Sequence, residues 1–256
     1  YRRDHLIEYL HKIQDTQGAI TKEFMTALAS LLGISQTEVY EVATFYHHFD
    51  VVESDKDKPA ALTVRVCDSV TCEMNGANEL ANILDSYYKG TVRIQKVPCI
   101  GRCQSAPAAV VKFNPVDNAN FEKIKKTVDA RAYEPTIPNY IQIDDYISKG
   151  GYEIYNGVCS KKISSEQAVD ILEASELKGL GGAGFPAGRK WRILREQDAP
   201  RLFAINIDEG EPGTFKDRFY LEKDPHRFLE GALIASLFIK ASNVYIYMRD
   251  EYPLSL

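Results

Sequence analysis

No apolar run in this 256-residue sequence reaches the length of a bilayer. The longest, residues 228–241, is interrupted by Glu230 and Gly231 and reads as a buried amphipathic helix. No block of basic residues appears and the net charge is −5, which argues against generic nucleic-acid binding. No stretch resembles a leader peptide, an internal repeat or a low-complexity tract. Cysteines number only five, an odd count that fits a reduced, cytoplasmic setting better than a disulfide framework. The first residue is Tyr1, not methionine, and the last strand-like stretch stops abruptly. The chain is therefore expected to be a piece of a longer protein, cut at its C-terminal end inside a larger domain.

What is present is a globular composition, 45% hydrophobic and 26% charged, in a length that suits one large domain or two ordinary ones. Residues 4–50 read as helical. Leu6, Ile7, Leu10 and Ile13 recur at helical spacing, Thr21 is a candidate N-cap, and Ser35 with Glu38 forms a capping-box pattern. His47 and His48 read as solvated charge at a helix C-terminus rather than as metal ligands. A polar linker, ESDKDKP, follows. Strands are then expected over 62–66, 91–97 and 108–113, and helices over 76–87 and 121–130. The expected fold class is α/β. A helical bundle covers 1–55 and a small unit of thioredoxin-like size covers 56–134. A connector runs over 135–163, stiffened by Pro135 and Pro138, and a further α/β domain begins at 164 and runs to 256.

Four of the cysteines form two pairs, Cys67-x4-Cys72 and Cys99-x3-Cys103. Each pair follows a predicted strand, and loops at the ends of neighbouring strands lie close together. Four thiolates at one point hold a zinc ion or an iron–sulfur cluster. Structural zinc prefers tight C-x2-C knuckles. The wider spacing here, and the small or flexible residues between, favour a 2Fe–2S cluster. Zinc and unligated thiols remain the alternatives on spacing alone. Cys159 has no near partner and reads as a spare thiol.

Two later segments carry a different chemistry. Residues 179–191 read GLGGAGFPAGRKW. No G-K-S/T closes the run, so it is not a P-loop, and the acidic residue a Rossmann fingerprint requires is missing. What remains is a flexible backbone with free N–H groups suited to a phosphate, with Lys190 to add charge. Phe185 offers an aromatic face, and Trp191 reads as core. Residues 206–218, NIDEGEPGTFKDR, follow the apolar strand LFAINI. Asp208, Glu209, Glu211, Asp217 and the later Glu222 gather there with Lys216 and Arg218, on a turn shaped by Gly210, Pro212 and Gly213. Acceptors on such a turn suit ribityl and ribose hydroxyls.

VCDSVTCEMNGANEL, VPCIGRCQSAPAAVV and ATFYHHF resemble the 2Fe–2S thioredoxin-like subunit of respiratory complex I and its soluble relatives, over about residues 4–130. The glycine-rich run and the N-x-D-E-x-E-P-G turn resemble the NADH-binding flavoprotein subunit of complex I, over about 165–252. The resemblance implies a 2Fe–2S cluster on Cys67, Cys72, Cys99 and Cys103. It implies FMN on Gly179, Gly181, Gly182, Lys190, Asn206, Asp208 and Glu209, and NAD against Phe185 and Glu211. It also implies a 4Fe–4S cluster whose ligands would lie only in the missing C-terminal part. One departure is Leu180, where that family usually carries arginine; Arg189 is the candidate substitute. Leu180 with Arg189, the fusion of both modules, and the segments DPHRFLEG and YMRDEYP resemble most the β-subunit of NAD-dependent molybdenum- or tungsten-containing formate dehydrogenases. This implies a diaphorase subunit, an oxidoreductase with a catalytic α-subunit as partner. Soluble NAD-reducing hydrogenases and complex I-like dehydrogenases are the nearest alternatives. A zinc-stabilised docking module without redox turnover is the alternative of another class.

Overall fold

The computed structural model describes residues 1–249 and 251–252, so Asp250 and Pro253 of the YMRDEYP segment lie outside the described residues. The chain forms two compact units, Tyr1–Glu134 and Pro135–Leu256.

The first unit opens with helices α1 (Leu6–Gln17), α2 (Lys22–Leu32) and α3 (Gln36–Phe45). Gly18, at φ 77°, ends α1 by returning its N–H to the Gln14 carbonyl at 2.8 Å. Ser35 and Glu38 cap α3 reciprocally: Ser35 Oγ accepts the Glu38 N–H at 3.1 Å and Glu38 Oε2 accepts the Ser35 N–H at 2.9 Å. Strands β1 (Ile20–Thr21) and β2 (Val51–Val52) pair in parallel and tie the two ends of this segment together. Leu10, Ile20, Leu28, Val39, Ala43 and Phe49 form its core. The histidines differ from the expectation of solvated charge. Helix α3 stops before them, and the half-buried His48 ring packs 4.6 Å from His11 and 5.6 Å from Phe49. Aromatic packing outweighs hydration because the chain turns back onto α1 there.

A four-stranded sheet follows in the order β4-β3-β5-β6, with β3 (Thr63–Cys67) parallel to β4 (Arg93–Val97) and antiparallel to β5 (Ala109–Val111), which in turn runs antiparallel to β6 (Asn114–Val116). The single strand expected over 108–113 is thus a hairpin that turns at Lys112, φ 59°. Pro115 disguised the second strand; on an edge strand its missing N–H breaks no ladder. Between these strands lie the short α4 (Val70–Glu73), then α5 (Ala77–Tyr88), and after β6 comes α6 (Phe121–Asp129). Val64 and Val66 of β3 point to one face, and Leu80, Leu84, Val97, Val111 and Ile124 share their buried core. Full burial of one such leucine stabilises by about 2 kcal/mol.

The second unit contains α7 (Ile143–Ser148), α8 (Glu153–Cys159), α9 (Ser165–Ala174), α10 (Ala187–Arg195), β7 (Arg201–Ile207), α11 (Lys216–Lys223), α12 (Pro225–Ile239) and β8 (Ala241–Met248). Strands β7 and β8 are parallel, with α11 and α12 in the crossover. Val169, Phe238 and Ile239 form the core, with Trp191, Leu194 and Phe203 against it, as expected for Trp191. The region read as a connector holds two helices. Glu230, which interrupts the apolar run, explains one of them. It accepts the Tyr146 hydroxyl at 2.6 Å and the Tyr152 N–H at 3.0 Å, at the N-terminus of α8. Among the described residues no helix is long and apolar enough to cross a membrane.

Candidate metal centre and cofactor cradle

The sheet delivers the four cysteines of the first unit to one place. Cys67 is the last residue of β3, Cys72 sits on α4, Cys99 follows β4, and Cys103 opens a 3-10 turn. Because β3 and β4 are parallel and in register, with Cys67 opposite Val97, their C-terminal ends coincide. Cys67, Cys72 and Cys99 are buried and Cys103 is partly exposed. Sulfur contacts link Cys67 to Cys72 and to Cys99, and Cys99 Sγ lies 3.4 Å from Cys103 Sγ. The shared hydrogen bond pushes the Cys67 thiol up and pulls the Cys72 thiol down. Contact with Cys67, then burial, pushes the Cys99 thiol up.

Backbone donors surround the sulfurs. The Gly101 N–H points at Cys99 Sγ from 3.4 Å, the Ser69 N–H at Cys67 and the Ala108 N–H at Cys72. Gly101 has φ 68°, so the loop needs glycine for its backbone as well as for close approach. The sulfurs make two adjoining pairs, each met by amide donors. Such a donor set suits a binuclear iron–sulfur centre, whose thiolates and sulfides accept N–H bonds.

In the second unit the glycine-rich run is a pinched loop. The Gly179 N–H donates to the Phe185 carbonyl at 2.9 Å and the Ala187 N–H to the Leu177 carbonyl at 2.8 Å. Its tip, from Leu180 to Ala183, is exposed. Gly182 and Gly184 have φ 101° and 61°, which explains why they are glycine. Gly181 has neither reason: its φ is ordinary and nothing lies within 4 Å of where a Cβ would stand. That position is therefore open to an outside group. Lys190 is exposed on the first turns of α10, and the Arg189 guanidinium sits 5.8 Å from the Phe185 ring centre. The last glycine of the run, Gly188, is structural, since a Cβ there would meet Glu173 at 2.4 Å where α10 packs on α9.

The acidic turn divides into two sets. Asp208 and Glu211 are exposed, and Asn206 shapes the turn by accepting the Asp208 N–H at 2.8 Å. Glu209 turns inward and is buried. Its carboxylate accepts the Asp217 N–H at 3.1 Å, the Arg218 N–H at 3.4 Å and the Tyr252 hydroxyl at 3.2 Å, while its backbone carbonyl accepts from Arg249 at 2.5 Å. Asp217 pairs with Lys216 and Glu222 with Arg218. Of the nine residues read as a cofactor set, the exposed polar ones are Asn206, Asp208 and Glu211 around this turn and Lys190 on α10. Glu209 alone is buried.

The model of the thioredoxin-like [2Fe-2S] ferredoxin family matches residues 1–132. The chain belongs to that family. Residues 172–256 match a second model, the Nuo51 FMN-binding domain. The fold is therefore a thioredoxin-like 2Fe–2S domain followed by the start of an FMN-binding domain, and these families bring a 2Fe–2S centre and FMN as cofactors. Similar proteins include an NADH-quinone oxidoreductase subunit from Aquifex aeolicus, 46% identical over 116 residues, 45% of this chain and 27% of the relative. The NAD-reducing hydrogenase HoxS subunit alpha of Cupriavidus necator is 28% identical over 98% of this chain and 47% of the relative. Among solved structures, an NAD+-reducing [NiFe]-hydrogenase in the H2-reduced state shares the fold, with a TM-score of 0.75 at 24% identity over 97% of this chain and 46% of that one. The chain thus spans less than half the length of each of these relatives.

For a thioredoxin-like ferredoxin domain, the parts that sequence reading missed are Ser69 and Ala108, whose contribution is a backbone N–H that no side chain announces. In the flavin-domain start, the missed residues are Arg249 and Tyr252. They lie about forty residues beyond Glu209, and only the parallel pairing of β7 with β8 brings them back to it.

Proposed function

We propose that the chain is the electron-transferring part of a diaphorase subunit that couples iron–sulfur clusters through FMN to NAD+/NADH. The carrying observation is the presence, in one chain, of a thioredoxin-like 2Fe–2S domain and the start of a Nuo51 FMN-binding domain. Flavin chemistry supplies the exchange between a two-electron hydride and single electrons. The chain's own groups bind and orient. Cys67, Cys72, Cys99 and Cys103 hold the 2Fe–2S cluster, as a side branch or electron store. Gly179, Gly181 and Gly182 leave room for the FMN phosphate, Lys190 and Arg189 add positive charge, and Asn206 and Asp208 accept from ribityl hydroxyls. Phe185 offers its ring to the adenine, and Glu211 receives ribose hydroxyls and repels a second phosphate, favouring NAD over NADP. Glu209 supports the turn from beneath.

The proposed electron source is formate oxidised in a molybdenum- or tungsten-bearing partner, on the strength of Leu180, Arg189 and the DPHRFLEG segment. A hydrogenase partner is the second reading, favoured by the similarity to the hydrogenase HoxS subunit alpha along nearly the whole chain. The identity of the co-purifying large subunit and its metal decides between them. The test of the main reading is low-temperature EPR after dithionite reduction, with NADH–dye reduction by the full-length protein. A rhombic 2Fe–2S signal is expected, Lys190→Ala should weaken FMN retention, and Glu211→Ala should weaken dye reduction. A colourless protein with one zinc would establish the docking-module alternative instead.

A further inference from the structure

We infer that Arg102 sets the electron affinity of the 2Fe–2S centre as a buried counter-charge to its reduced state; the inference rests on the four cysteines being the centre's ligands. Arg102 lies inside the second cysteine loop, next to Cys103 and three residues after Cys99. It is only 7% exposed, and arginine is seldom buried this far unless paired. Its Nη1 donates to both carboxylate oxygens of Asp117, at 3.2 and 3.3 Å, and the Ser105 hydroxyl donates to the same carboxylate at 2.9 Å.

The pair is unequal. The Arg102 side chain is 8% exposed and that of Asp117 is 44% exposed. Water and salt screen the carboxylate, while the guanidinium is almost fully buried and so poorly screened, on a residue adjacent in sequence to Cys103. One-electron reduction by dithionite, itself oxidised in the step, makes a four-thiolate 2Fe–2S centre one unit more negative. A fixed positive charge inside the loop favours that state more than the oxidised one. At an effective dielectric constant of about 20, a unit charge as far as about 12 Å away is still worth about a tenfold change in the reduction equilibrium, and Asp117 offsets part of what a nearer one would give.

A purely structural Arg102 would behave differently. The loop's own closure is made by backbone: the Arg102 carbonyl accepts the Ser105 N–H at 3.0 Å. This contact does not need the guanidinium. Charge and shape can therefore be separated by two substitutions of opposite electrostatic sense.

The experiment is an anaerobic redox titration of the full chain, followed by EPR, with iron and acid-labile sulfide measured on every sample. Arg102→Gln is expected to make reduction about tenfold harder, a fall of about 59 mV for one electron. Asp117→Asn removes the partially compensating anion and is expected to move the midpoint the opposite way by a smaller amount. Arg102→Lys, which keeps the charge, should restore most of the wild-type value. An unmoved midpoint in Arg102→Gln at full iron and sulfide content overturns the inference. So do shifts of the same sign in Arg102→Gln and Asp117→Asn, which would report distortion rather than charge. Where Arg102→Gln fails to hold iron, Asp117→Asn decides alone: an upward shift supports the inference and any other result overturns it. Wild-type protein without iron and sulfide would overturn the ligand assignment itself, a result distinct from an unmoved potential.

Discussion

Replacing Glu209 by alanine should loosen the second unit far more than loss of one surface carboxylate would. The Glu209 carboxylate is the acceptor for the Asp217 N–H, the Arg218 N–H and the Tyr252 hydroxyl. Asp217 is half-buried, so water can replace its partner. Arg218 and Tyr252 are 4% and 2% exposed, so their donors would be left dry. A buried donor without an acceptor costs about 1–3 kcal/mol, and two of them place the loss for Glu209→Ala at about 3 kcal/mol, after some relaxation. The ion pair to Lys216 is 3.6 Å long and that lysine is well exposed, so little is added for it. Glu209→Gln keeps one carbonyl oxygen and should cost about 1 kcal/mol. Trp191 is the only tryptophan in the chain and packs 6.4 Å from Phe238 in the second unit's core. Its fluorescence during urea unfolding therefore reports this unit and not the first. The reasoning fails if Glu209→Ala unfolds within about 1 kcal/mol of wild type, or if glutamine proves as damaging as alanine.

Two other outcomes are expected. Gly181→Ala should leave the Trp191 unfolding curve unchanged, because a Cβ there meets nothing within 4 Å and the backbone needs no positive φ, yet FMN retention in the full-length protein should fall; unimpaired FMN retention, measured by gel filtration and absorbance, would show that the bare position is not a cradle. The Glu38 carboxyl is held below its ordinary value of 4.5 by the Ser35 N–H, the Ser35 hydroxyl and Arg3. A carboxyl depressed in this way stabilises fully above 4.5 and loses the effect as pH falls through its lowered value, so the extra amide exchange of residues 35–45 caused by Glu38→Ala should be large at neutral pH and shrink in acid; a difference that grows in acid would reverse the sign of this argument.

The sequence announced what lies on local rules and concealed what lies on distant ones. The Ser35–Glu38 box and the helix expected over 76–87 follow from residues within one or two turns, and both stand where the pattern put them, the helix to within a residue. The cysteine pairs were legible because strand ends carry them. The β5–β6 hairpin was not, since Pro115 reads as a break until the strand is known to lie at an edge. The helices α7 and α8 span only six and seven residues, too short for periodicity to declare itself. Glu209 looked like its neighbours Asp208 and Glu211 because one-dimensional acidity says nothing about direction. The first residues of α11 and Tyr252, beyond the end of β8, make it an internal acceptor.

The two candidate sites differ in what makes them, and the difference bears on how each would take its cofactor. The sulfur site belongs to the first unit's main core: Cys67 and Cys72 share one buried cluster with Val64, Leu84 and Ile124, so folding the sheet already gathers the sulfurs. Its amide donors come from turns fixed by that same sheet, and little ordering remains to be done on binding. The glycine-rich loop is the reverse case. Its ends are pinned by the Gly179 and Ala187 hydrogen bonds, but its tip is exposed and Arg189 over Phe185 is a contact at its rim. A ligand bound at the tip would have to fix its backbone, and the cost of fixing each residue, about 1–2 kcal/mol, would fall on the binding step. Iron should therefore stay with this chain under dilution conditions in which flavin is lost.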